Sequence, residues 1–311
     1  MGTKPLAVLS IVLIAAVQVH ASEESRLTAI ARSSSHFVAV GRDGAILRSE
    51  DGRAWSNQPA VTQAHLRGVA FGDGRFVAVG DAGTLVTGTD TAGWQRLDPL
   101  DSNTLRQVTF GRGQFIAVGD SGTILSSMDG LHWRRLRSTT TAKLRSVVYG
   151  SGRFVAVGEG GIIVTSSGGY KAWSCVNSGT ESCLRGVAYG NGVFVAVAPN
   201  RAVFTSGDGL RWSRHSATDD AYLYALCFNG REFVAVGCTG RAAWSSDGQI
   251  WRPIEKAGCG DLVGVAGTTE RMVGVGGTGT TLFPSPEPAV PVLTLKTPKS
   301  RIDGSREFLD K

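Results

Sequence analysis

Short apolar runs separated by glycine-centred breaks recur along the whole chain. In Leu66–Thr104, LRGVAF and RFVAVG each have the length of a strand, and Gly72-Asp73-Gly74 between them supplies the positive-φ residues of a tight hairpin. Asp81-Ala82-Gly83 marks a second turn, TLVTG a third strand, and WQRL, opened by Trp94, a fourth. Copies begin at Leu27, Leu66, Leu105, Leu144, Leu184, Leu223 and Leu262, giving successive periods of 39, 39, 39, 40, 39 and 39 residues. Four antiparallel strands in about 40 residues is the size of a propeller blade. The pattern therefore predicts an all-β chain, a seven-bladed β-propeller with four-stranded antiparallel blades. An open solenoid would need terminal repeats with a polar outer face, and the first and last copies keep the apolar pattern instead. Closure also removes exposed strand edges.

The seventh copy lacks the tryptophan strand, and Pro284, Pro286 and Pro288 interrupt the chain where it should lie. Either Val290–Leu295 (VPVLTL) completes the last blade or that blade has three strands. Outside the repeats, Met1–Lys4 is a short positive start and Pro5–Val19 an apolar run of 15 residues, shorter than the ~20 of a membrane span. Val19-His20-Ala21 suits a signal-peptidase cut. The expected organisation is a signal peptide at 1–21, the propeller at 22–295 and a disordered tail at 296–311. The mature chain is expected to be exported, periplasmic or extracellular, monomeric and without a membrane span.

Composition changes this picture little. At 311 residues, length alone would suggest two domains, but a repeat across most of the chain argues for one array. The formal charge of +6 is carried mainly by arginine, 25 of 32 basic residues, with 26 acidic residues interspersed. No concentrated basic stripe results, so nucleic-acid binding is not expected.

The turn before the fourth strand carries a recurring motif: Ser49-Glu50-Asp51-Gly52-Arg53-Ala54-Trp55, then SMDGLHW (127–133), SGDGLRW (206–212) and SSDGQIW (245–251). This resembles the Asp-box (BNR-like repeat) of sialidase-like propellers, and the full repeat, over about residues 27–283, is similar to secreted propellers of the photosystem II stability and assembly factor type. The spacing is one residue shorter than the usual S-x-D-x-G-x-x-W, and two copies, TGTDTAGW (87–94) and SSGGYKAW (166–173), are degraded. A structural role is expected for Asp51, Trp55, Asp129, Trp133, Asp208, Trp212, Asp247 and Trp251. The carboxylate should accept turn amides, the glycine take the left-handed position and the indole wedge between blades. One acid per blade on an outer rim is too dispersed to bind a metal or flank a scissile bond.

If the first strand is innermost, the connectors between blades and the second-to-third turns share one face. The second residue of the first strand there is Arg67, Arg106, Arg145 and Arg185 in four consecutive copies, and Thr28, Tyr224 and Val263 in the others. Four arginines would line an arc of the channel mouth, with Tyr222 and Tyr224 beside it. Each could pair with the acid of its own blade's next turn, Asp81, Asp120 or Glu159, except Arg185, whose blade has Ala198-Pro199-Asn200-Arg201 instead. The arc suits carboxylates, sulfates or an acidic protein loop. The expected function is therefore non-enzymatic binding of a protein partner, or of an anionic small molecule or glycan, and the resemblance implies an assembly-factor role.

The alternative implied by the resemblance is a carbohydrate-binding or sialidase-like glycoside hydrolase propeller. It lacks an Arg-Ile-Pro motif, and Tyr149 and Tyr189 occupy the core position of Phe71 and Phe110. No histidine pair has metal-ligand spacing, and no nucleophile elbow or dinucleotide motif is present, so neither cofactor nor metal is expected. Export would favour disulfides. Cys175 and Cys183 flank one connector, while Cys238 and Cys259 share the connector face; these two pairs are the expected bridges, with Cys227 buried as a small apolar residue.

Overall fold

The computed structural model describes residues 27–284 except 90, 91, 171, 200, 217–221, 255–259 and 278. Every repeat forms its own antiparallel sheet, with strands hydrogen-bonded in sequence order. The second repeat is representative: Leu66–Gly72, Arg75–Gly80, Leu85–Thr89 and Gln95–Leu97. The innermost strands, Leu27–Arg32, Leu66–Gly72, Leu105–Gly111, Leu144–Gly150, Gly186–Gly190, Leu223–Phe228 and Leu262–Gly267, follow one another around a central channel, and the last packs back on the first. The second strand of each sheet, typified by Phe154-Val155-Ala156-Val157, is apolar on both faces and wholly buried, because both faces meet a neighbouring blade.

The core is therefore a set of thin apolar layers between adjacent sheets. Val38, Val40 and Ile46 of the first sheet meet Leu66, Phe76 and Val86 of the second. At the ring's junction, Leu27, Ile30, Phe37 and Leu47 meet Val273 and Val275 of the last repeat. A carbonyl clasp adds to this layer: Arg271 Nη1 donates to Asp51 O at 3.1 Å.

Six sheets have four strands, and the seventh, Leu262–Gly267, Arg271–Gly276 and Gly279–Pro284, has three among the described residues. The expectation of seven four-stranded blades is corrected to six, because the seventh repeat has no tryptophan strand to continue its sheet. Val290–Leu295 lies outside the described residues, as do 1–21 and 296–311. Among the described residues no helix is long and apolar enough to cross a membrane.

The cysteine pairing is also corrected. Cys175, Cys183, Cys227 and Cys238 carry free thiols. Cys175 sits in the outermost strand Ser174–Val176, its sulfur 3.3 Å from Thr139 Oγ1, whereas Cys183 adjoins the inner end of the next blade. The connector between them crosses the ring's radius, about three strand spacings of ~4.8 Å, while a disulfide needs Cα atoms within about 7 Å. Cys259, the expected partner of Cys238, lies outside the described residues. Cys227 packs half-buried in the layer between the sixth and seventh sheets, and desolvation pushes its thiol up to about 12.

Candidate functional site

Arg67, Arg106 and Arg145 reach the channel mouth through a backbone irregularity that repeats in six of the seven blades, whereas Arg185 directly precedes its blade's shorter first strand, Gly186–Gly190. Leu66 pairs with Gly80 and Gly68 with Val79, so Arg67 is an extra, unpaired residue in a β-bulge. The same shift isolates Arg106, Arg145, Tyr224, Val263 and Thr28. A bulge re-aims the side chain it carries, and here it turns one residue into the mouth in each of six blades. Arg67, Arg106, Arg145, Arg185, Tyr224 and Val263 accordingly line a single cavity of about 250 Å³ with Thr28. Tyr222 stands just outside it, more than half exposed.

The acids arrive by a second local device. After the second strand of five repeats the chain makes a short 3₁₀ turn, and in three of these the amide of an acidic first residue donates to the carbonyl preceding the blade's first strand: Asp81 N to His65 O, Asp120 N to Thr104 O and Glu159 N to Lys143 O. This sets each carboxylate beside its own blade's bulged arginine. Arg67 and Arg106 grip Asp81 and Asp120 through Nε and Nη2, the Nη2 contacts being 3.1 and 3.0 Å. Arg145 holds Glu159 through Nη2 alone, at 2.6 Å, and Lys143 adds a contact at 3.7 Å. Its buried Nε has no partner among the described residues.

Electrostatics follow from these pairs. Burial opposes ionisation of Asp81, but the Arg67 hydrogen bond and charge outweigh it and hold the carboxyl below its ordinary value. The Asp120 hydrogen bond raises Arg106. Desolvation followed by the Arg67 charge lowers His65. Such part-exposed pairs each contribute ~0–1 kcal/mol, so they neutralise three arginines without binding energy to spare.

Arg185 differs. Its guanidinium carbon lies 5.0 Å from the Tyr224 ring centroid, a cation–π contact, and it makes no ion pair among the described residues. Burial, then the nearby charges of Asp261 and Cys238, keeps the Tyr224 phenol above its usual value and so neutral. Among the described residues, the cavity lining thus has three ion-paired arginines on one side, Arg185 without an ion pair at the boundary, and Tyr224, Val263 and Thr28 on the other. Below this layer the channel narrows past Gln107 and Ser146. These two, and the bulge itself, escaped sequence reasoning; aligning the third residue of each first strand would have exposed the polar pair.

The aspartate turns lie at the opposite end of the strands. Asp129 Oδ1 accepts from Leu131 N and His132 N at 2.9 and 2.8 Å and from Ser127 Oγ at 3.0 Å, while Gly130 N donates to Ser127 Oγ at 2.8 Å. Asp51, Asp208 and Asp247 repeat this arrangement. Trp55 and Trp251 donate to the turn carbonyls of Gly52 and Gly248. Trp133 and Trp212 stack near Phe115 and Phe194 at 6.4 Å. The turn amides lower Asp51 and Asp208; for Asp129 and Asp247 burial opposes the shift, but hydrogen bonds prevail. Among the described residues no three His, Cys, Asp or Glu side chains converge as a metal site. Tyr149 and Tyr189 stack on Phe154 and Phe194 at 4.8 and 4.6 Å, as Phe71 does on Phe76.

No protein-family model matches the chain, and no curated protein matches it in sequence. Solved structures match it in fold. YCF48 from Cyanidioschyzon merolae has a TM-score of 0.69 at 18% identity, over 86% of this chain and 98% of that one. A structure of YCF48 bound to D1 peptide has the same score and identity, over 85% and 94%. Virginiamycin B lyase from Staphylococcus aureus has a TM-score of 0.77 at 12% identity, over 86% and 97%. At these identities the likeness shows a β-propeller fold.

Proposed function

We propose that the chain is an exported, non-catalytic Asp-box propeller that holds an acidic segment of a partner protein at its connector mouth, as an assembly or scaffold factor does. The carrying observation is Arg185, the arginine of the arc that has no carboxylate partner among the described residues and lies over the ring of Tyr224. A fixed guanidinium with its donor fork unspent is suited to a carboxylate. The YCF48 structure with a D1 peptide gives a precedent for peptide binding by a propeller of similar shape. Export rests on the Met1–Ala21 leader pattern, and a complete seventh blade on Val290–Leu295.

Calorimetric titration of acetyl-Gly-Glu-Glu-Gly-amide into the mature chain tests this reading. Replacing Arg185 by Ala should weaken binding about tenfold or more, the worth of one charge-assisted contact. Unchanged affinity would contradict it. Binding on a glycan array without peptide binding would instead favour a carbohydrate ligand.

A further inference from the structure

The uncharged side of the mouth has its own chemistry. Val263 and Tyr222 are 37% and 55% exposed, both among the large apolar side chains that this surface leaves uncovered. Val263 and Tyr224 line the same cavity as Arg185, and Tyr222 immediately precedes the strand Leu223–Phe228 that carries Tyr224. Thr28, the remaining lining residue on this side, is tied down by hydrogen bonds from its Oγ1 to the backbone carbonyls of Val40 and Leu66, leaving its methyl as the free part. Exposed apolar side chains gathered in a concave site mark a contact surface rather than chance exposure.

The two sides differ because of single residues in the repeat. Where Asp81, Asp120 and Glu159 follow an arginine, the mouth is charged and compensated. In the sixth copy the corresponding pair is Tyr224 and Cys238, and the seventh offers Val263. Arg185 stands at the junction, its guanidinium carbon over the Tyr224 ring and its side chain lining the cavity.

We infer that the mouth reads two adjacent features of a partner peptide: a carboxylate, taken by Arg185, and a bulky apolar side chain next to it, seated on Tyr222, Tyr224 and Val263. This rests on the connector mouth being the binding surface. The carboxylate matches Arg185, the arginine of the arc without an ion pair among the described residues, and the apolar side chain covers surface otherwise left in water.

Three fluorescein-labelled peptides with blocked termini separate the possibilities on the full mature chain by anisotropy: Gly-Ser-Glu-Phe-Ser-Gly, the same with Ser for Phe, and the same with Gln for Glu. The Glu-Phe peptide should bind about tenfold more tightly than either of the others, the worth of one well-covered apolar side chain or one ion pair. In Val263→Ser, an exposed substitution whose folding is checked by circular dichroism, the preference for Phe over Ser should fall towards one. Equal binding of the Glu-Phe and Glu-Ser peptides, both weakened by Arg185→Ala, would overturn the two-feature inference and leave the connector mouth in place. No binding by any acidic peptide would overturn both.

Discussion

Asp129 illustrates how a conspicuous carboxylate can be fully employed by its own turn. Its Oδ1 takes two amides and a hydroxyl, and Oδ2 lies 2.7 Å from His132 Nδ1. Asp129→Ala should therefore cost about 1 kcal/mol in urea unfolding, the scale of losing a capping side chain, without altering binding at the far mouth. The sign of the pH dependence follows from the depressed carboxyls. Their folded-state values lie below the ordinary 3.8, so their stabilisation is complete above that value and is lost as pH falls through the folded values. Thermal melts should show this loss below pH 3.8, and Asp129→Ala should reduce the slope there. The motif was readable from the sequence because all its partners lie within a few residues. The state of Arg185 was only half readable: the missing acid shows in Ala198-Pro199-Asn200-Arg201, but the stacking on Tyr224 depends on two neighbouring blades meeting.

At the level of elements, strand order and turn positions were legible because glycine and apolar spacing mark them directly. The bulge was not. A one-residue slip between Leu66 and Gly68 leaves no trace in hydrophobic periodicity, yet it decides where Arg67 points. The connector between Cys175 and Cys183 misled for a similar reason, since only seven residues separate them in sequence while the chain crosses from outer to inner strand. Glycines at the ends of the first strands show how closely the blades approach. A Cβ on Gly150 would lie 2.1 Å from the Tyr189 ring, which is itself stacked on Phe154's counterpart, Phe194. Gly150→Ala should destabilise the chain by about 1–3 kcal/mol through overpacking, measured by denaturant unfolding. Gly152→Ala, at φ +75° but with open space around it, tests backbone strain alone.

For the whole molecule, closure depends on apolar packing between the last and first repeats and on the Arg271 clasp to Asp51 O. The ring was legible from its period; the number of four-stranded sheets was overestimated because the last repeat loses its outer strand motif. Closure makes the bulged residues converge, and the lopsided sequence of the copies makes that convergence chemically uneven, with Arg185 at the edge of the arc. The opposite face spends its carboxylates within turns, and the proposed function places an acidic partner at the connector mouth. The most direct test is to photo-crosslink acetyl-Gly-Glu-Glu-Gly-amide, carrying a diazirine on its terminal glycine, to the mature chain and map the adducts by mass spectrometry. Adducts on peptides containing residues 183–187 and 222–226, reduced by Arg185→Ala, are expected; adducts concentrated on the turns at 127–133, 206–212 and 245–251, unaffected by that substitution, would contradict the connector-mouth assignment.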